Sequence, residues 1–428
     1  MGESDERLWA EGLKLLRTLA DAGHEAYMVG GSVRDRLIGR PLHDIDIATS
    51  ALPEAVQALF PRTLPTGLQH GTVTVIVDGD PFEVTTYRTE SGYSDSRRPD
   101  EVAFVTDVRE DLSRRDFTFN AMAVGLDGAL LDPFGGREDL SAGIVRTVGR
   151  AADRFGEDAL RMLRAIRFGA EFGFELASDT WEGIATHKQR LSHVAMERVG
   201  AEWDKMIAGQ GPDQACAWLQ HSGLLVHLKE RLPSLTAARI DGWGLANARA
   251  IRLAAIDGID VRWAAYWIGV GASEADALSA CKTLRMSGKR SARIAAAVGF
   301  ERRLADGRTG GPALLEGCDQ RNWIEAVLDY GVPAAEDWLA IEVSVRGFEG
   351  LAERDWLAAM PITRVGQLAV RGDELSKLLG RSPGPWVARL LRALLSEVAH
   401  GKLPNEKADL TLAARNWITR MLPPEMGK

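Results

Sequence analysis

Tyr27-Met28-Val29-Gly30-Gly31-Ser32-Val33-Arg34-Asp35, followed seven residues later by His43-Asp44-Ile45-Asp46-Ile47-Ala48, decides how the rest of the chain is read. On a strand, residues i and i+2 point the same way. Asp44 and Asp46 therefore share one face, with Ile45 and Ile47 on the other. Side-by-side carboxylates repel unless a cation lies between them. Mg²⁺ takes hard oxygen ligands, often one or two carboxylates completed by substrate phosphates, which is what two-metal nucleotidyl transfer requires. Alone, D-x-D is an ordinary pair of solvated acids. Here Gly30-Gly31 ends the preceding strand and opens a short helix carrying Arg34, so backbone N–H groups and a guanidinium can meet a triphosphate. No P-loop pattern occurs.

Outward from that stretch, residues up to about 145 alternate β-branched runs with Gly, Pro and Asp turns. Trp9, Leu13, Leu16 and Ala20 predict a helix over about 5–22. Strands are predicted at 25–29, 45–48, 72–77, 82–88 and 121–125. Asp78-Gly79-Asp80-Pro81 supplies a hairpin turn. Past about 150 helical periodicity takes over, at 158–171, 195–209, 213–221 and 386–400. The reading is α+β: an α/β head with a mixed sheet of about five strands, then an all-α remainder.

With 428 residues, the chain is too long for one core. A net charge of −8 argues against gripping nucleic acid over the whole surface, but not against a local basic groove, because screening acts over roughly 8–10 Å. Cys216, Cys281 and Cys318 fit no zinc or disulfide spacing and read as reduced. An acidic N-terminus and the lack of a long apolar run predict a soluble, cytoplasmic protein without a signal peptide or membrane span.

A second motif, Asp153–Phe168, reads DRFGEDALRMLRAIRF. Glu157 and Asp158 are expected in a first helical turn, and Asp158 and Arg161, spaced i, i+3, on one face. As surface ion pairs they would matter little. As a recognition pair they have chemical content. Cytosine and adenine each present an amino donor beside a ring-nitrogen acceptor, complementary to a carboxylate beside a guanidinium. Uracil and guanine present a carbonyl beside an N–H and would leave buried polar groups unpaired.

Taken together, GGSVRD followed by HDIDIAT resembles the catalytic signature of class II tRNA nucleotidyltransferases (CCA-adding enzymes) and bacterial poly(A) polymerases. The resemblance implies that Asp44 and Asp46 hold the metals and that Glu83, in FEVTTYR, supplies a third catalytic carboxylate. Leu112–Ala123 resembles the family's RRDFTxNA motif, implying that Arg115, Asp116 and Asn120 serve the nucleotide sugar. EDALR resembles its base-recognition motif, carried by Asp158 and Arg161 with Glu157 orienting Arg161 and Arg164 beside them; Gly30, Gly31 and Arg34 complete the nucleotide set. Asp132–Gly136 resembles a hinge turn, and Ser192–Glu202 the last neck motif, where Arg198 and Glu202 support the helix.

The implied activity is template-independent addition of CMP and AMP from CTP and ATP to the tRNA 3′ end, with two Mg²⁺ ions (or Mn²⁺) and release of pyrophosphate. The partners are tRNA, CTP and ATP, with no DNA and no membrane. PTGLQHGTVTV at 65–75 looks like the tRNA-enzyme version rather than the poly(A) one, and TESGYSDSRRPDEVAFVTD at 89–107 reads as the intact flexible loop of full CCA addition. Poly(A) polymerase and CC-only or A-only enzymes remain alternatives within the family. An inactive RNA- or nucleotide-binding module, or transfer to a small molecule or protein, are alternatives outside it. The expected parts are a catalytic head over 1–145, a neck over 146–205, a body over 206–350 and a tRNA-binding tail over 351–428. Two basic runs are candidates to hold RNA, Arg146 to Arg167 and Lys282 to Arg293.

Overall fold

The computed structural model describes residues 2–91, 101–233, 251–305, 318–346 and 352–421. The chain groups into two compact units, Met1–Arg231 and Leu232–Lys428.

In the first unit, helix α1 (Glu3–Asp21) opens with acids that favour a helix N-terminus and buries Trp9, Leu15, Leu16 and Leu19. A sheet follows, with β1 Ala26–Val29, β2 Asp46–Thr49, β3 Thr63–Gly67, β4 Thr72–Val77, β5 Asp80–Thr86, β8 Ala123–Val124 and β9 Leu130–Leu131. Its order is β3-β4-β5-β2-β1-β8-β9. That is seven strands where about five are expected. The two additions are β3, whose sequence is broken by Pro65 and Gly67, and β9, two residues long; neither carries a periodic signal. Within this sheet only β2 and β5 pair in parallel, so it is mixed as expected. Asp78 and Gly79 join β4 to β5 with φ of 50° and 96°, the two positive values a two-residue hairpin turn needs.

Two expectations change. Asp44 lies just ahead of β2 rather than within it: β1 ends at Val29, opposite Asp46, because Gly30 turns away at φ 73° and leaves Asp44 no pairing partner. The helix expected at 158–171 is broken at its start. α6 (Ala151–Glu157) ends at Glu157, Asp158 is extended (φ −136°, ψ 105°), and α7 runs Leu160–Phe172. The Asp158 carboxylate accepts from the backbone N–H of Leu160 at 3.0 Å, a local bond that competes with helix continuation.

Phe117 and Phe119 of the RRDFTFN segment pack against Phe168 and Phe172 of α7, with centroids 5.5–6.1 Å apart. Head and neck motifs therefore share one core. Helices α8 (Ser178–His187), α9 (Met196–Ala208) and α10 (Pro212–Ser222) complete the unit.

The second unit is helical throughout its described residues, from Ile259–Gly269 to Lys407–Met421. Trp263, Trp267, Phe300, Trp323 and Trp338 are fully buried in it. The Pro385–Ala399 helix centres a second cluster, with Leu375, Leu390, Leu394 and Leu410. No helix among the described residues is long and apolar enough to cross a membrane.

Gly136 opens helix α5 (Gly136–Ala142), where the Asp132 carboxylate accepts from the N–H groups of Gly136 and Arg137. A Cβ there would lie 2.3 Å from the Thr118 carbonyl oxygen. Gly136→Ala is therefore expected to destabilise the protein by about 1–3 kcal/mol through overpacking, read as a lower urea midpoint; an unchanged midpoint would show that the turn yields freely.

Candidate active site

The β2–β5 register places Asp46 directly opposite Glu83. Burial alternates along the acidic segment: Asp44 is exposed, Ile45 buried, Asp46 half-buried and Ile47 buried. Burial pushes the Asp46 carboxyl up to about 6; Asp44 and Glu83 add to the rise and Arg115 opposes it. Three acids thus crowd one place with one arginine among them. Among the described residues, no group of three or more His, Cys, Asp or Glu side chains forms a ready metal cage. Asp44 and Asp46 could hold a divalent cation only with ligand positions left over for other oxygen donors such as phosphates. The half-buried Asp46, with two acids and a single arginine beside it, is a setting that a cation fits.

Arg115 reaches this place because Gly30 has no side chain: a Cβ on Gly30 would sit 2.8 Å from Arg115 Nη1 and 3.8 Å from Asp46 Oδ2. The Nε of Arg115 is buried and has no hydrogen-bond partner among the described residues. Its guanidinium is anchored by Asp111 at 3.4 Å. Asp111, 1% exposed, also accepts from Arg114 at 2.7 Å and from the Arg88 N–H at 3.3 Å. Burial opposes ionisation of Asp111, but Arg114 and Arg115 outweigh it and hold its carboxyl below the ordinary range. The sequence reading missed Asp111, although its position three and four residues ahead of Arg114 and Arg115 was a usable signal.

Gly30 and Arg34 are placed differently from expectation. The Gly30 N–H is not bare, since it donates to the Met122 carbonyl at 3.3 Å. Arg34 is buried rather than turned to solvent: Nη1 donates to Asn120 Oδ1 at 2.6 Å, and Nε and Nη2 donate to the Asp35 carboxylate at 2.9 Å each. Its guanidinium lies 5.2 Å from the Phe168 centroid and 5.0 Å from that of Phe172. Gly31 opens helix α2 (Gly31–Leu37) beside it.

From Asn120 the bonds continue. Its amide donates to Asp116 Oδ1 at 2.9 Å, and Asp116 Oδ2 pairs with Arg164 at 2.7 Å. Burial would raise the Asp116 carboxyl, but Arg164, the Asn120 amide and Arg161 hold it down at about 2. Glu202 then accepts from Arg167 at 2.6 Å.

The helix break changes the expected Asp158/Arg161 pair. Asp158 does not share a helix face with Arg161; its carboxylate takes both Nη groups of Arg198, at 2.6 and 3.2 Å. Arg161 donates to Glu157 at 2.6 Å and to the Arg114 carbonyl at 2.9 Å. Glu157 therefore holds Arg161, as expected, while Arg198 holds Asp158.

The first basic run is largely committed, and the second in part. Arg146, Arg154, Arg161, Arg164 and Arg167 each pair with a carboxylate at 3.1 Å or less, and of that run only Arg150 is strongly exposed. In the second unit Arg290 pairs with Asp260 and Arg293 with Asp337. Within the segment 89–107, β6 (Arg88–Ser91) pairs antiparallel with β7 (Glu101–Phe104), and residues 92–100 lie outside the described residues.

The chain is 38% identical over 410 residues to a protein of Geobacillus stearothermophilus named as a CCA-adding enzyme, covering 93% of this chain and 94% of that one. It belongs to the family of CCA-adding enzymes. A CCA-adding enzyme of Bacillus cereus is 36% identical, with 94% and 96% covered. Family profiles agree: "Poly A polymerase head domain" matches residues 26–146, "Probable RNA and SrmB- binding site of polymerase A" 173–238, and "tRNA nucleotidyltransferase domain 2 putative" 256–414. The crystal structure of the Bacillus stearothermophilus CCA-adding enzyme in complex with CTP superposes with a TM-score of 0.78 at 34% identity, covering 98% and 99% of the two chains. The Thermotoga maritima enzyme, at 18% identity and a TM-score of 0.63, shares the fold.

Because the fold raises the Asp46 carboxyl to about 6, its charged form costs stability above that pH, whereas below about pH 4 folded and unfolded chains are both protonated. In the metal-free protein, Asp46→Asn is therefore expected to stabilise by about 1–2 kcal/mol after solvent screening. The thermal midpoint should rise by a few degrees at pH 7.5 and stay level at pH 4. A lower midpoint at pH 7.5 would refute the crowding.

Proposed function

We propose that this chain rebuilds the 3′ end of tRNA by adding CMP and AMP from CTP and ATP, releasing pyrophosphate at each step. The observation that carries the reading is the convergence of Asp44, Asp46 and Glu83 beside Arg115, in the same unit as an Asp158/Arg161 pair suited to C and A. In each cycle the primer's 3′-oxygen bonds to the α-phosphorus, the α–β phosphoanhydride bond breaks and the hydroxyl proton is lost. Nucleotidyl transfer in this family generally uses divalent ions. We assign two Mg²⁺, with Mn²⁺ as a substitute, to Asp44 and Asp46; when bound they supply charge neutralisation and acidify the attacking hydroxyl. Glu83 is the third carboxylate, and Arg115 is assigned to the triphosphate through its unpartnered Nε.

Asp158 Oδ2, with one contact to Arg198, keeps a lone pair for an exocyclic amino group. Arg161 supplies the donor for the ring nitrogen. The bonded series Arg34–Asn120–Asp116–Arg164 holds the sugar-facing segment between the acids and the base readers. We assign the head to 1–145, the neck to 146–205, the body to 206–350 and the tRNA-binding tail to 351–428, working in the cytoplasm.

The test is incubation with tRNA truncated by one, two or three 3′ nucleotides and each labelled NTP, read as product length. Full restoration from CTP and ATP is expected; products ending at CC, single A additions only, or long A tails would replace the reading with a narrower or different one. Asp44→Ala should abolish incorporation. Asp158→Ala should erode the preference for CTP and ATP over UTP and GTP roughly tenfold or more, as lost polar complementarity does. Arg198→Ala should shift that preference in the same direction, since Arg198 holds Asp158. Unchanged selectivity in both variants would remove Asp158 from base reading.

A further inference from the structure

A cleft of about 320 Å³ opens beside the candidate active site and takes in none of Asp46, Glu83, Arg115, Asp158 or Arg161. It meets that site through buried Arg34 and through His43, the residue preceding Asp44. Its walls combine Arg40, Arg167 and Lys205 with the apolar surfaces of Pro41 and Phe172.

The cations keep donors in hand. Arg40 spends Nη2 on Glu171 at 2.6 Å, and Arg167 spends Nε on Glu202 at 2.6 Å. Arg40 Nε and Nη1 and both Nη groups of Arg167 have no hydrogen bond among the described residues. Lys205, 60% exposed, has a single contact at 3.2 Å, to Glu202. The rim is fixed in advance. Glu171 accepts from Arg40 with Oε1 and from the Gln210 N–H with Oε2, bridging the α2 side to the loop after α9. A Cβ on Gly209 would strike Glu171 at 2.3 Å, and one on Gly211 the Ala170 carbonyl at 2.2 Å.

Position says which anion belongs there. Arg161 stands at the start of α7 and Arg167 and Glu171 lie six and ten residues on, about 9 and 15 Å along the axis at 1.5 Å per residue. A stacked strand rises about 3.4 Å per phosphate, so the cleft lies within a few nucleotides of the base-reading pair. Cations beside an exposed proline and a half-buried aromatic ring suit a nucleotide, whose phosphate and apolar faces both need partners. A free pyrophosphate would use only the cations.

We infer that this cleft holds a phosphodiester of the acceptor strand within the last few nucleotides behind the reacting 3′-hydroxyl, with Arg40, Arg167 and Lys205 as its ligands. The inference rests on the proposed tRNA reading, and its test separates the two.

The full chain and its Arg40→Gln and Lys205→Gln variants would be assayed with truncated tRNA and CTP. Each variant should raise the KM for tRNA roughly tenfold, as charge-assisted contacts do, while KM for CTP and inhibition by pyrophosphate stay level. Salt dependence of tRNA binding should flatten by about one phosphate's worth. Primers carrying one neutral methylphosphonate linkage should locate the contact: at the right linkage the variants lose their penalty. Lys205 is an exposed helix residue, so its variant covers the case in which Arg40→Gln disturbs folding. Weakened pyrophosphate inhibition with unchanged tRNA KM would assign the cleft to the leaving group and overturn the inference. Unchanged tRNA KM and salt slope would overturn it outright. Failure of the unaltered chain to extend tRNA would instead overturn the function on which it rests.

Discussion

The sheet holds the Asp46 carboxylate, half-buried, next to Asp44 and Glu83, and gives it one nearby arginine. Left alone, that arrangement costs free energy in every folded molecule. A fold free to relax would turn one acid away or add a second cation. Here backbone pairing prevents it: Glu83 is fixed opposite Asp46 by the only parallel pairing in the seven-stranded sheet, and Ile45 and Ile47 are locked in the core on either side. The strain is useful because it is relieved only by something that brings positive charge. A divalent ion does so, and an ion still short of ligands invites phosphate oxygens. On the proposed function, substrate binding and charge relief would be the same event.

Around this unrelieved centre, the neighbouring charges are compensated. Asp111 neutralises Arg114 and steadies Arg115; Asp116 takes Arg164; Glu202 takes Arg167; Arg198 takes Asp158; Glu157 takes Arg161. Such partly buried pairs contribute little net stability. Their effect is geometric, since each removes rotamer freedom from the side chains it joins. Arginines that look in sequence like an RNA-gripping run are mostly spent on this scaffold. Any phosphate contact from these arginines must use the donors the pairing leaves over.

The alternating burial of the acidic segment, the hairpin at Asp78-Gly79 and the strand–helix change near 150 are legible because each rests on a local rule: alternation, positive φ, periodicity. The edge strands β3 and β9 were not, being broken by Pro65 and Gly67 or too short to carry a pattern. Arg34 was misplaced for a different reason. Its partners, Asn120, Phe168 and Phe172, are distant in sequence, so its burial depends on tertiary packing alone. Asp111 was overlooked although its spacing to two arginines was in view, because acids in a helix are ordinarily solvated.

The break before α7 is the most instructive of these differences. A continuous helix would have set Asp158 one turn below Arg161, where the two would pair with each other. Asp158 bonds the Leu160 N–H instead, ends α6 and leaves the helical path. Its carboxylate is then held by Arg198 from α9, and Arg161 by Glu157 from α6. Each reader is braced from its own side, and the acid and the guanidinium remain separate. A complementary edge must lie between two groups that do not consume each other. An aspartate that interrupts its own helix, with a partner supplied from elsewhere, is how this chain keeps them apart.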